Sequence, residues 1–99
     1  SHQIPDANKA ILDKAATLLK SVKDAKLTVS GYTDSTGNAN SNKALSQRRA
    51  QSVVDYLVSQ GVDAAQLNAV GNGADNPVAD NATDEGRFKN RRIEFSVNP

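Results

Sequence analysis

The 99 residues fit one compact domain built on a single hydrophobic centre and leave little room for two. Hydrophobic residues make up 37% and charged residues 23%, which excludes a chain too polar to fold. Twelve Lys and Arg against eleven Asp and Glu leave a formal charge of +1, too little to drive attraction to DNA, RNA or an anionic bilayer.

Cysteine is absent, which removes disulfides, thiolate nucleophiles and Cys-type zinc sites. No run approaches the roughly 18 apolar residues of a membrane span, and no signal peptide opens the chain, so it reads as an excised soluble piece. Residues 1–3 read as a tag or disordered tail.

From Asp6 to about Val22 the residues Ile11, Leu12, Ala15, Ala16, Leu18, Leu19 and Val22 recur at helical spacing with lysines on the other face. Pro5 stands where a helix begins, and Asp6 puts negative charge in its first turn. LTVSGY, Leu27 to Tyr32, then alternates with the period of a half-buried strand. TDSTGNANSN, Thr33 to Asn42, has almost nothing to bury and is expected to be an exposed loop.

Ser41 or Asn42 is the expected cap of a second helix running to Gln60, with Ala50, Val53, Val54, Leu57 and Val58 inward and Gly61 at the terminating left-handed position. Val62 to Leu67 carries a helical turn capped by Asp63, and Asn68 to Gly71 is short enough for a strand before the turn NGADNP. Asn72 to Asn90 is a long polar stretch in which Thr83 to Gly86 resembles a capped turn. In RRIEFSV, Ile93, Phe95 and Val97 share one side of a closing strand, and Arg92, Glu94 and Ser96 the other. Helices alternating with strands around one small core imply a two-layer α/β (α+β) sandwich with helices on one face of a sheet of about three or four strands.

The chemistry concentrates on Asp34, at the end of the first predicted strand, and Arg49 in the second helix. Arg49 lies four residues after Leu45 and four before Val53, on an inward-looking stripe where a guanidinium needs a partner. Two readings stay open. Asp34 and Arg49 form a closed structural salt bridge, or they make a receptor for a zwitterion, with Asp34 taking an ammonium and Arg49 a carboxylate. Thr36 and Asn42 add donors and acceptors to the same rim.

GRFKNRR, Gly86 to Arg92, is a basic run, but near-neutral charge and few aromatic residues argue against nucleic-acid binding. Strand alternation sends Arg91 and Arg92 to opposite faces, one toward solvent and one toward the loop cluster. The lone histidine, His2, lies in the tail, and no Ser, His and acid constellation exists, so an enzyme is disfavoured. Asp75, Asp80, Asp84 and Glu85 read as turn residues rather than a glycosidase pair. Neither Asx-rich loop has EF-hand spacing, and neither a metal nor a cofactor is expected.

GYTDSTG at Gly31, NKALSQRRA at Asn42, VGNGADNPVADN at Val70 and TDEGRFKNRRIE at Thr83 together resemble the OmpA C-terminal domain of OmpA, Pal and MotB proteins, from about Ile4 to Val97. The resemblance implies a βαβαβ-type fold with a mixed sheet, and one domain over residues 1–99. It implies a periplasmic domain that binds the diaminopimelate residue of peptidoglycan, with Asp34 facing the ammonium, Arg49 the carboxylate, and Thr36, Asn42 and Arg91 in support. The parent protein would be a membrane-anchored, outer-membrane-associated protein tethered to the wall, with homo-oligomerisation left open. The rival is a structural or protein-interaction domain of the envelope with a closed Asp34 and Arg49 pair and no wall ligand. The family normally opens with a strand before its first helix, whereas here only SHQIP precedes it. A missing or truncated first strand leaves a sheet edge for upstream residues or another chain to cover.

Overall fold

The computed structural model describes residues 6–98. Their order is α1 (Asp6–Ser21), β1 (Lys26–Gly31), α2 (Ala39–Ser59), a 3-10 turn (Ala64–Gln66), β2 (Leu67–Gly71), α3 (Asp84–Asn90) and β3 (Ile93–Asn98). The SHQIP stretch, where the family's first strand is expected to be missing or truncated, and with it the tail at residues 1–3, lies outside the described residues.

The strands form a three-stranded sheet in the order β2-β1-β3. β1 runs parallel to β2, with Leu27 opposite Leu67 and Gly31 opposite Gly71. It runs antiparallel to β3, with Val29 opposite Phe95 and Gly31 opposite Ile93. The sheet is therefore mixed, as expected, with β1 in its centre. Alternation along β1 buries Leu27, Val29 and Gly31 and leaves Thr28 and Ser30 half-buried, the signature of one covered sheet face.

That face is covered by helices. Leu12, Ala16 and Leu19 of α1 and Ala50, Val53, Val54 and Leu57 of α2 form one apolar cluster with Ala25, Leu27, Val29 and Val62. Ile11, Leu18 and Val22 fall outside it and are exposed, as is Val58 on α2. The inward stripe of α1 is thus narrower than its apolar content suggests, because contact is confined to the i, i+4, i+7 row through Leu12. Phe95 and Val97 share the inner side of β3 but are also exposed, since β3 lies at the sheet margin.

α2 begins earlier than the sequence suggests. Its N-cap is Asn38, whose side chain accepts from the Asn40 and Ser41 amides, in place of Ser41 or Asn42. The helix ends at Ser59 with Gln60 as its C-cap, and Gly61 takes the expected left-handed position beyond it at φ +99°. Asp63 caps the 3-10 turn through the Ala65 amide. The turn expected at Thr83 to Gly86 is the first turn of a helix that continues to Asn90, capped by Thr83 through the Gly86 amide.

Two glycines set the distance between α2 and the sheet. A Cβ on Gly71 would lie 2.5 Å from the Gln47 backbone nitrogen, and one on Gly31 would overlap the Ser46 carbonyl. Gln47 uses this closeness: its side chain donates to the Ala69 carbonyl at 3.0 Å and accepts from the Gly71 amide at 2.8 Å. No helix among the described residues is long and apolar enough to cross a membrane.

Candidate functional site

The end of the central strand β1 is where the loops converge. Beyond Gly31, the Tyr32 amide donates to the Arg92 carbonyl at 2.9 Å and the Thr33 amide to the Gly73 carbonyl at 2.7 Å. The chain is thus held on both flanks up to Asp34. Gly73 is in turn fixed to α2 by its amide, which donates to the buried Ser46 hydroxyl at 2.9 Å. A short, rigid extension therefore delivers Asp34 to the rim of the sheet.

Asp34 closes a tight turn on itself. The Thr36 amide donates to its Oδ1 at 2.8 Å, an Asx-turn that uses the short carboxylate as a backbone mimic. Asn42, in the first turns of α2, donates through Nδ2 to the Thr36 carbonyl at 3.0 Å and, at a longer 3.5 Å, to the Asp34 carbonyl. Arg91 Nη1 donates to Asp34 Oδ2 at 2.6 Å in a salt bridge, with the Asp34 side chain 11% exposed and that of Arg91 40%.

These contacts set the charge state of the carboxyl. Burial alone pushes the Asp34 pKa up, but the Thr36 amide, the Arg91 guanidinium and the Thr36 hydroxyl outweigh it and hold the carboxyl below its usual range. Asp34 is thus an anion at neutral pH that is shielded from water on one side and met by a half-exposed cation. Such a group suits a cationic guest that can compete for it.

The structure brings together Asp34, Thr36, Asn42 and Arg91. Arg49 is half-buried in α2, seven residues beyond Asn42 and therefore on the same helical face, about 10 Å further along the axis. Arg91, expected from the sequence in a supporting role, is itself bonded to Asp34. Arg91 follows α3 directly, and strand alternation turns Arg92 the other way. Arg92 does not face open solvent: its side chain is 16% exposed and pairs with Glu94 at 2.6 Å. Its guanidinium carbon stacks 3.8 Å from the centroid of the Tyr32 ring, and Nη2 donates to the Asn76 carbonyl at 2.9 Å. Arg92 thereby locks the loop after β2 against the same strand end.

The sequence reading also missed Asn81 and Asn90, which tie that loop to α3. Asn90 is fully buried; nothing in an Asn-rich polar stretch marks which asparagine is buried.

The residues that carry this turn, with the fold beneath them, match the OmpA family over residues 1–91. The chain belongs to the OmpA family. It is 50% identical over 92 residues to the peptidoglycan-binding protein ArfA of Mycobacterium tuberculosis, a match covering 93% of this chain and 28% of ArfA. It is 42% identical over 99 residues to the probable lipoprotein YiaD of Escherichia coli, covering all of this chain and 45% of YiaD. The chain thus spans less than half the length of these curated relatives. Among solved structures it is similar to the peptidoglycan-associated lipoprotein of Burkholderia pseudomallei, with TM-score 0.95, 34% identity, 99% of this chain and 83% of that chain covered. The C-terminal domain of Helicobacter pylori MotB follows the same OmpA-like fold, with TM-score 0.88, 30% identity, and 100% and 78% of the two chains covered.

Proposed function

We propose that this OmpA-family domain binds peptidoglycan non-covalently by docking the diaminopimelate residue of the stem peptide at the Asp34 turn, and so tethers a cell-envelope protein to the wall on its periplasmic side. The observation that carries this reading is a largely buried, ionised Asp34 whose Oδ2 meets a competing cation, Arg91, at 2.6 Å. The free end of diaminopimelate carries an ammonium and a carboxylate. The ammonium replaces Arg91 at Asp34, and the released guanidinium joins Arg49 in holding the carboxylate. Thr36 and Asn42 shape the rim on which the zwitterion rests. The relative ArfA, described as peptidoglycan-binding, supports the same polymer as ligand. The work done here is binding rather than bond cleavage.

The close Asp34 and Arg91 pair also suits one rival: an envelope interaction domain whose pair never opens. Titration with muropeptides, followed by NMR, separates the two. Shifts confined to Thr33 to Arg49 and Arg91 are expected, whereas an unchanged spectrum at millimolar ligand would establish the rival. In a sacculus pull-down, Asp34→Ala and Arg49→Ala are each expected to weaken retention roughly tenfold to a hundredfold, the worth of one charge-assisted hydrogen bond. Both variants should still unfold cooperatively on heating.

A further inference from the structure

We propose that Asn81 is a positioning residue for the Asp34 site: its side-chain oxygen, held in place by the buried Asn90, carries the Ser35 amide and so fixes the turn from Asp34 to Thr36. This deepens the receptor reading above and rests on it for the identity of the ligand.

The arrangement starts at α3. Asn90, at its last turn, is fully buried, and its side chain is saturated by the loop that precedes the helix. Oδ1 accepts from the Val78 amide at 2.8 Å and the Ala79 amide at 3.0 Å. Nδ2 donates to the Ala79 carbonyl at 3.0 Å and to Asn81 Oδ1 at 2.8 Å. Arg87 Nη1 adds a bond to the Asn81 carbonyl at 2.8 Å. Gly86 lets the loop lie against the helix, since a Cβ there would overlap the Asp80 carbonyl. Both the backbone and the side chain of Asn81 are thereby bound to α3.

The remaining acceptor capacity of Asn81 Oδ1 points at the site. The Ser35 amide donates to it at 3.3 Å, between the carboxylate-bearing Asp34 and the Thr36 whose amide closes the Asx-turn at 2.8 Å. α3 thus reaches the turn twice, through Arg91 at Asp34 Oδ2 and through the Asn90 and Asn81 pair at Ser35. The second route survives when a ligand displaces the first. It keeps the turn formed during exchange, which spares the ligand the cost of ordering it.

The test uses Asn81→Ala, which removes the acceptor, and Asn81→Asp, which retains it. Three readouts apply: hydrogen exchange at the Ser35 amide, the carbon-13 titration of the Asp34 carboxyl in ligand-free protein, and affinity for meso-diaminopimelate. In Asn81→Ala the Ser35 amide is expected to exchange faster, the Asp34 midpoint to move toward that of an ordinary aspartate, and affinity to fall roughly three- to tenfold. Asn81→Asp should restore the slow Ser35 exchange. Wild-type exchange and a wild-type Asp34 titration in Asn81→Ala would overturn the proposal. Failure of the wild-type protein to bind diaminopimelate would instead overturn the receptor reading, while exchange and titration would still decide the role of Asn81.

Discussion

Asp34 joins stability to the proposed binding in one carboxyl group. Its pKa in the fold is held below the usual value, near 3.9 in an unfolded chain. As pH falls, the unfolded chain therefore takes up this proton first. The stabilisation that Asp34 supplies is complete above the unfolded value and is lost as pH drops through the folded one. Because the Arg91 side chain is 40% exposed, solvent screens the pair and its worth is about 1 kcal/mol. Urea titrations of wild type and Asp34→Asn should thus differ by about that amount at pH 7 and converge as pH falls through the lowered folded-state value. A gap that stays constant across this range would show that Asp34 acts through shape rather than charge. The same protonation removes the anion proposed to receive the ammonium, so wall binding should weaken over the same acid window.

At the scale of the element, periodicity carried far more information than capping did. The alternation of β1 and the stripe through Ala50, Val53, Val54 and Leu57 were legible because each repeats a buried face several times. The start of α2 was not, because Asn38, Asn40, Ser41 and Asn42 all possess capping chemistry and packing chooses among them. α3 was half-legible: Thr83 announces its start, but Phe88 is its one large apolar side chain and is exposed, so no stripe marks its length. The contact of Arg91 with Asp34 was hidden for a different reason. Arg91 lies 57 residues away in sequence, and only the pairing of β1 with β3 brings the two strand ends together; Thr36 and Asn42 were legible as polar residues of the loop rim, whereas Arg91 was singled out from Arg92 by family resemblance. The packing of α2 on the sheet gives a sharp expectation. Asn38→Ala removes a cap and should cost about 1 kcal/mol. Gly71→Ala forces a methyl group into the backbone of Gln47 and should cost roughly 1–3 kcal/mol or more, because backbone cannot step aside as a side chain does. Thermal melts that rank the two in the opposite order would contradict the observed approach of α2 to β2.

The molecule as a whole is packed unevenly from one side of the sheet to the other. α2 lies on β1 and β2, and the apolar cluster is filled by Leu57 and Val29, both 0% exposed. On the far margin, β3 is hydrogen-bonded to β1 alone among the described strands, and its inner residues Phe95 and Val97 are 48% and 58% exposed. Large apolar content is therefore not a guide to where stability resides. Leu57→Ala opens a cavity among side chains that cannot collapse into it and should cost about 2–5 kcal/mol. Phe95→Ala removes a larger side chain, yet much of its surface already meets water, so its cost should stay nearer 1 kcal/mol. Urea unfolding of the two variants at neutral pH measures the contrast directly. Asp34 and Asn42 stand on the strong side of this division, one extending the central strand and the other rising from the helix that covers it, while Arg91 enters ahead of β3, four residues before Phe95. Phe95→Ala should accordingly leave sacculus binding within about twofold of wild type, a change worth no more than roughly 0.4 kcal/mol. A large loss of binding in that variant would mean that the β3 margin, rather than the β1 and α2 core, holds the Asp34 turn in place.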